Sequence, residues 1–165
     1  MRLKKLNITS QKAMTLIELM LVIALLGVIV TIAIPSYQSY IDKTNNALAI
    51  SQLVTIQSVI ERYYLENNRY PPDSESEWEA FTSKLPNNGK DPWGNKYIYL
   101  DIAGDWPRTR GPSRKDRNIN PINTQYDLYS KGKDGQTKKQ VSQKVSLDDI
   151  ILARDGRFIG HAADF

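Results

Sequence analysis

The chain has no cysteine and a single histidine, His161. The first absence excludes a disulfide framework, which an extracytoplasmic domain of this size could have used. The second excludes a His-based triad or a His-rich metal site, except through that one residue. No nucleophile–base pairing, phosphate loop or pair of apposed acids is present, so an enzyme is not expected. Charge is also missing over one long stretch. From Leu19 to Ile34 no residue is ionisable, and Thr31 is the only polar one.

Counted from Met14, that run is 21 residues. At about 1.5 Å per residue it can cross a hydrocarbon core of about 30 Å as a helix. A lone acid, Glu18, stands near its start. A carboxylate at the centre of a membrane helix costs roughly 2.5–3.5 kcal/mol and usually marks function. Cleavage after Ala13 would place a free amine on Met14, the cheapest partner for that acid. The calculated pI of 9.2 at first suggests an anionic partner. However, Arg2, Lys4, Lys5 and Lys12 precede the apolar run with no acid among them. Subtracting those four from the 22 Lys and Arg leaves 18, equal to the 18 Asp and Glu. The excess therefore reports topology, with the basic end cytoplasmic. An ordinary secretory signal has a shorter apolar region, and a plain uncleaved anchor leaves Glu18 unexplained.

The chain divides into a leader 1–13, a membrane helix 14–35, an amphipathic continuation 36–66 and a head 67–165. Ile50, Leu53, Ile56, Ile60, Tyr63 and Tyr64 recur at helical spacing, opposite Asn45, Asn46, Ser51, Thr55, Ser58 and Glu61. One helix from about Thr15 to Glu66 is predicted, kinked or locally melted at Pro35. Its apolar stripe is expected to pack on a sheet as the spine of the head. Asn67-Asn68 and Tyr70-Pro71-Pro72 end it. A short helix over Glu75–Leu85 is expected, capped by Asp73 or Ser74, with Trp78, Phe81 and Leu85 on one side. Turns follow at Asn87-Asn88-Gly89 and at Asp91-Pro92-Trp93-Gly94, the latter of type I. Strands are predicted at Tyr97–Leu100 and Tyr126–Tyr129, with a hairpin of Ile150–Ala153 and Arg157–Ile159 around Arg154-Asp155-Gly156. Residues 103–124 are expected to be a solvated loop, made basic by Arg108, Arg110, Arg114, Lys115 and Arg117. A nucleic-acid contact there is not favoured, because Trp106 alone gives no aromatic interleaving. The fold class is α+β, a long helix on a small antiparallel sheet of three or four strands.

Three segments carry a resemblance. Ala13 followed by Met14-Thr15-Leu16-Ile17-Glu18, the apolar run and Pro35 at the twenty-second position from Met14 resemble the prepilin signal of type IV pilins and type II secretion pseudopilins. The family usually has glycine where Ala13 stands. Asp91-Pro92-Trp93-Gly94-Asn95 through Tyr99 resembles a block of the major pseudopilins. Ser130-Lys131-Gly132-Lys133-Asp134-Gly135 resembles their Ser-x-Gly-x-Asp-Gly loop. Residues 103–124 are longer than the corresponding connection in that family.

The resemblance implies a filament subunit of a type II secretion apparatus, with head in the periplasm and N-terminus cytoplasmic before assembly. It implies cleavage between Ala13 and Met14 by a prepilin peptidase and N-methylation of Met14. It further implies assembly through Glu18 and Pro35 on an inner-membrane platform, with copies of itself and with minor pseudopilins. Membrane lipid surrounds the helix before that. A calcium ion is implied at Asp134 and Asp149, with Asp148 as a further candidate and backbone carbonyls at the strand end, Leu128 among them. Calcium takes six to eight oxygens in a flexible cage, and glycine lets carbonyls turn inward. The sequence departs from that pattern at Leu147, where the family has another Asp, and at Lys138, Lys139 and Lys144. The missing disulfide favours a pseudopilin over a pilin. The alternatives are a type IV pilus or DNA-uptake pilin, and an anchored binding domain that does not polymerise.

Overall fold

A computed structural model describes residues 14–104, 108–117 and 119–165. The leader, with Ala13, and Trp106 lie outside the described residues. The chain separates into two compact units, Met1–Ile41 and Asp42–Phe165.

In the first unit, helix α1 (Leu16–Asn67) begins. Its side chains from Leu16 to Tyr40 are exposed. By length and composition this stretch can cross a membrane. Thr31, the only polar residue of the run, donates its hydroxyl to the Gly27 carbonyl at 2.8 Å, which satisfies it within the helix. Helical structure continues through Pro35, so the expected local melting is not seen. Ser36 donates its hydroxyl to the Ile32 carbonyl at 3.2 Å, adding a bond beside the place where Pro35 has no N–H to give.

The second unit starts inside α1. Ala49, Leu53, Ile56 and Ile60 are buried, and each Leu or Ile so buried contributes about 1.5–3 kcal/mol. Tyr63 and Tyr64 are only half-buried, and Ala49 takes the innermost place at the start of the stripe. Asn68, with φ 52°, ends the helix by donating its N–H to the Tyr64 carbonyl at 2.7 Å. Helix α2 (Glu75–Thr82) follows. Ser74 stands at its N-cap position, but its hydroxyl turns to Glu77 instead of to a backbone N–H.

Strands β1 (Ile98–Asp101), β2 (Tyr126–Ser130), β3 (Ile150–Ala153) and β4 (Phe158–His161) form one antiparallel sheet in that order. Because successive side chains alternate across a strand, the sheet has two apolar faces. Tyr99, Tyr126, Leu128, Ile150 and Leu152 pack with the α1 stripe and Trp78. Trp78 stacks on Tyr99 with 4.3 Å between ring centroids and donates its indole N–H to the Tyr97 carbonyl at 3.0 Å. Trp93 packs against this same core.

Ile151 and Ala153 face the other way, into a second cluster with Ile122, Val141 and Ala162. This second layer corrects the expectation of a solvated loop over 103–124. Among its described residues Thr109, Ser113, Arg114, Ile122 and Asn123 are buried. The insertion covers the sheet face that α1 leaves open. The β3–β4 turn holds Arg154 and Asp155 at φ 53° and 54°, a strained region for non-glycine residues. The insertion pins that turn: Asp155 accepts the Thr124 N–H at 2.7 Å and its hydroxyl at 2.8 Å, and donates its own N–H to Asn123 Oδ1 at 2.9 Å.

Candidate functional site

Glu18 lies at the start of α1, and its surroundings are local. One carboxylate oxygen accepts the Thr15 N–H and the Thr15 hydroxyl, both at 2.8 Å. In return the Glu18 N–H donates to the Thr15 hydroxyl at 3.3 Å. The pair forms a reciprocal capping box, the Thr-x-x-Glu arrangement that satisfies the free N–H groups of a helix start. The Thr-x-x-Glu spacing is the signal that could have found this partner, whereas the expectation from sequence was the Met14 amine. Glu18 therefore has a role in its own helix before any neighbour is considered. Met14, the residue implied to carry the amine, is exposed.

In the head, Asp91 is buried and holds its turn together. Its Oδ1 accepts the Trp93 N–H at 3.0 Å and the Asn95 N–H at 2.8 Å. Its Oδ2 accepts the Ser130 hydroxyl at 2.5 Å. Ser130 Oγ in turn accepts the Gly132 N–H at 3.0 Å, and the Asn95 amide donates to the Gly132 carbonyl at 2.9 Å. Two segments of the chain that resemble pseudopilins are thus one hydrogen-bonded unit. Gly132 sits at φ 66°, and a Cβ there would lie 2.3 Å from the Asp148 carbonyl oxygen.

The carboxylates implied to bind calcium are arranged differently from one another. Asp134 accepts the Gln136 N–H at 2.7 Å, closing its own turn. Asp148 accepts the Asp134 N–H at 3.1 Å. Asp149 is fully buried and its Oδ2 accepts from Arg114 Nη2 at 2.7 Å and from the Thr137 hydroxyl at 2.6 Å. Leu128 lies at the centre of β2, opposite Tyr99. Among the described residues no three acids or histidines are grouped as a metal would require. Lys138, Lys139 and Lys144 are exposed.

Beneath the insertion, Asp127 accepts the Arg114 N–H at 2.6 Å and the Asn123 amide at 2.9 Å. Burial pushes its carboxyl up to about 6, against the lowering effect of those two donors. Burial also raises Asp149, with Arg114 opposing it. A carboxyl raised above its unfolded value of about 3.9 binds a proton more readily in the folded head. Its contribution to stability is complete below pH about 4 and is lost as pH rises through about 6. The Asp127 carboxyl carbon is expected to titrate near pH 6 in an NMR experiment; a midpoint in the ordinary carboxylate range would contradict this.

Residues 8–34 match the family model of the prokaryotic N-terminal methylation motif, and residues 35–97 match that of the type IV minor pilin ComP, DNA uptake sequence receptor. Type II secretion system core protein G of Pseudomonas aeruginosa is 30% identical over 143 residues, covering 76% of this chain and 86% of the relative. The chain belongs to the type IV pilin-like superfamily, in the family of type II secretion core protein G. The Escherichia coli core protein G is 26% identical over 143 residues, covering 76% and 84% of the two chains. The major pilin PilE of Neisseria gonorrhoeae is 28% identical over 148 residues, covering 88% and 84%. No solved structure matches. These pilin-like relatives are named as structural proteins of secretion systems and pili, not as enzymes. The match to the methylation motif includes Met14 and Glu18, and the match to the ComP pilin model includes Asp91 and Asn95.

Proposed function

We propose that this chain is a structural subunit of the periplasmic pseudopilus of a type II secretion system. The observation that carries the proposal is the helix from Leu16 to Ile34, apolar on every side with Glu18 as its one acid. Such a helix is satisfied by lipid before assembly and by neighbouring apolar helices afterwards. The family relationship to core protein G then selects secretion over a pilus. On this view a prepilin peptidase cuts between Ala13 and Met14, Met14 is N-methylated, and the head waits in the periplasm. An inner-membrane platform then adds subunits to a fibre of identical copies with minor pseudopilins.

A DNA-uptake role draws its support from the ComP match, but the basic insertion does not add to it. Arg114 is buried against Asp149 and so is withdrawn from any phosphate, and the exposed Arg108 already pairs with Asp73 at 3.3 Å. Deleting the gene is expected to leave secreted enzymes in the periplasm, with release restored by the wild-type chain. Normal secretion with lost piliation or DNA uptake would assign the subunit to a pilus. Mass spectrometry of native membranes is expected to find a methylated N-terminal peptide beginning at Met14. An intact Met1 leader would sink the filament proposal itself.

A further inference from the structure

Calcium, as the resemblance implies it, requires a set of inward oxygens left free for the ion. Among the described residues no three acids or histidines are grouped to hold one. Asp134 and Asp148 hold their own loop, and the Asp149 carboxylate already has a cation against it. That cation comes from the insertion. Arg114 and Asp149 are both almost wholly inaccessible, with side-chain exposures of 3% and 0%.

Arg114 makes more than one contact there. Its Nη2 reaches Asp149 Oδ2 at 2.7 Å and its Nη1 donates to the Thr137 hydroxyl at 2.7 Å. Thr137 donates its own hydroxyl to the same Asp149 oxygen at 2.6 Å. The guanidinium carbon lies 4.2 Å from the centre of the Tyr129 ring, on whose face a cation is stabilised. The Arg114 backbone is fixed as well: its N–H goes to Asp127 and its carbonyl accepts the Ile122 N–H at 3.0 Å. Arg114 Nε and Asp149 Oδ1 are buried without a partner. The pair therefore meets through Nη2 and Oδ2 alone and leaves one donor and one acceptor unmet. A divalent ion drawn to Asp149 would meet this fixed positive charge in a medium that screens it weakly.

We infer that the Arg114 guanidinium is the resident cation of this head, clamping the insertion, β2 and the 130–149 loop through Asp149 and Thr137, so that the loop is held without a metal ion. The inference stands apart from the secretion assignment, because a calcium-dependent head could serve the same filament. A buried ion pair is not by itself a source of large net stability, but removing one partner leaves an uncompensated charge and is severe.

The test uses the full processed chain in detergent micelles, with tryptophan fluorescence read against temperature. Chelation with EGTA and addition of millimolar calcium are each expected to leave the melting midpoint unchanged within about 1 °C, since a ligand that does not bind the folded state shifts nothing. Equilibrium dialysis against labelled calcium should show no stoichiometric binding. Arg114→Met is expected to lower the midpoint by about 10 °C or more. The inference is overturned if EGTA lowers the wild-type midpoint and calcium restores it, if dialysis finds one tightly held ion, or if Arg114→Met melts like wild type. Should that variant fail to fold, the two wild-type measurements still decide the matter.

Discussion

Glu18→Ala is expected to leave membrane insertion and the folded head intact while fibre yield falls sharply. Removing an acid makes the segment more apolar, so insertion does not suffer. The head is built from Asp42 onward, and Glu18 contributes nothing to its core. Assembly differs, because a subunit leaving lipid must bury Glu18 among other helices. A buried carboxylate without a partner costs several kcal/mol, and the methylated amine of Met14 on an adjacent subunit would neutralise it. The subunit's own Met14 lies one turn away, so an intramolecular pair has to be separated from an intersubunit one. Crosslinking between cysteines engineered in neighbouring helices makes that separation.

The capping box adds a second way for the alanine variant to fail. Losing the Thr15 bonds costs about 1 kcal/mol at the helix start, which could fray the end that must dock. Glu18→Gln resolves the two effects. Glutamine can serve in a capping box but cannot pair with an amine as an ion. If charge guides docking, Glu18→Gln should assemble as poorly as Glu18→Ala, and mixed expression with wild type should show the defect at subunit addition. Assembly by Glu18→Gln at wild-type yield would assign Glu18 to the cap. Equal crosslinking and fibre yield in Glu18→Ala would remove it from assembly altogether.

What could be read from the sequence follows the range of the interactions. The helix and all four strands were visible because their signals are local: three- and four-residue spacing along α1, short runs of strand-forming residues at Tyr126–Tyr129 and Ile150–Ala153, and an Asp-Gly turn between β3 and β4. The buried role of the insertion was not visible. Arg114 meets Thr137 and Asp149 at separations of 23 and 35 residues, and nothing in its neighbours distinguishes it from Arg108 or Arg117. A basic, proline-rich stretch looks solvated until the sheet face it covers is known. Asp149 was singled out only by its place in the calcium pattern, and nothing near it in the sequence announces the Arg114 guanidinium that the structure sets against it. Asp91 lies between these cases: its turn was legible, but its partner Ser130, 39 residues away, was not.

That partner makes Asp91→Ala the substitution in the head with the broadest expected consequence. Alanine leaves the Trp93 and Asn95 N–H groups and the Ser130 hydroxyl without their acceptor, at a site that is 1% exposed. Each stranded buried donor costs about 1–3 kcal/mol, so the three together are expected to lower the melting midpoint by about 10–15 °C. The damage should also spread in a defined direction. Ser130 fixes Gly132, and Gly132 carries the backbone on which Asp134 and Asp148 meet, so hydrogen exchange should quicken at Gly132 and Asp134 as well as at Trp93 and Asn95. Asp91→Asn gives the control. Its single oxygen can still accept from Trp93 and Asn95, and its amide can donate to Ser130 Oγ, which has a second lone pair free for it. The asparagine variant should therefore keep the turn and lose well under half as much in melting midpoint. If Asp91→Ala melts as wild type, or if its exchange quickens at Trp93 and Asn95 while Gly132 and Asp134 stay protected, Asp91 does not couple the two segments.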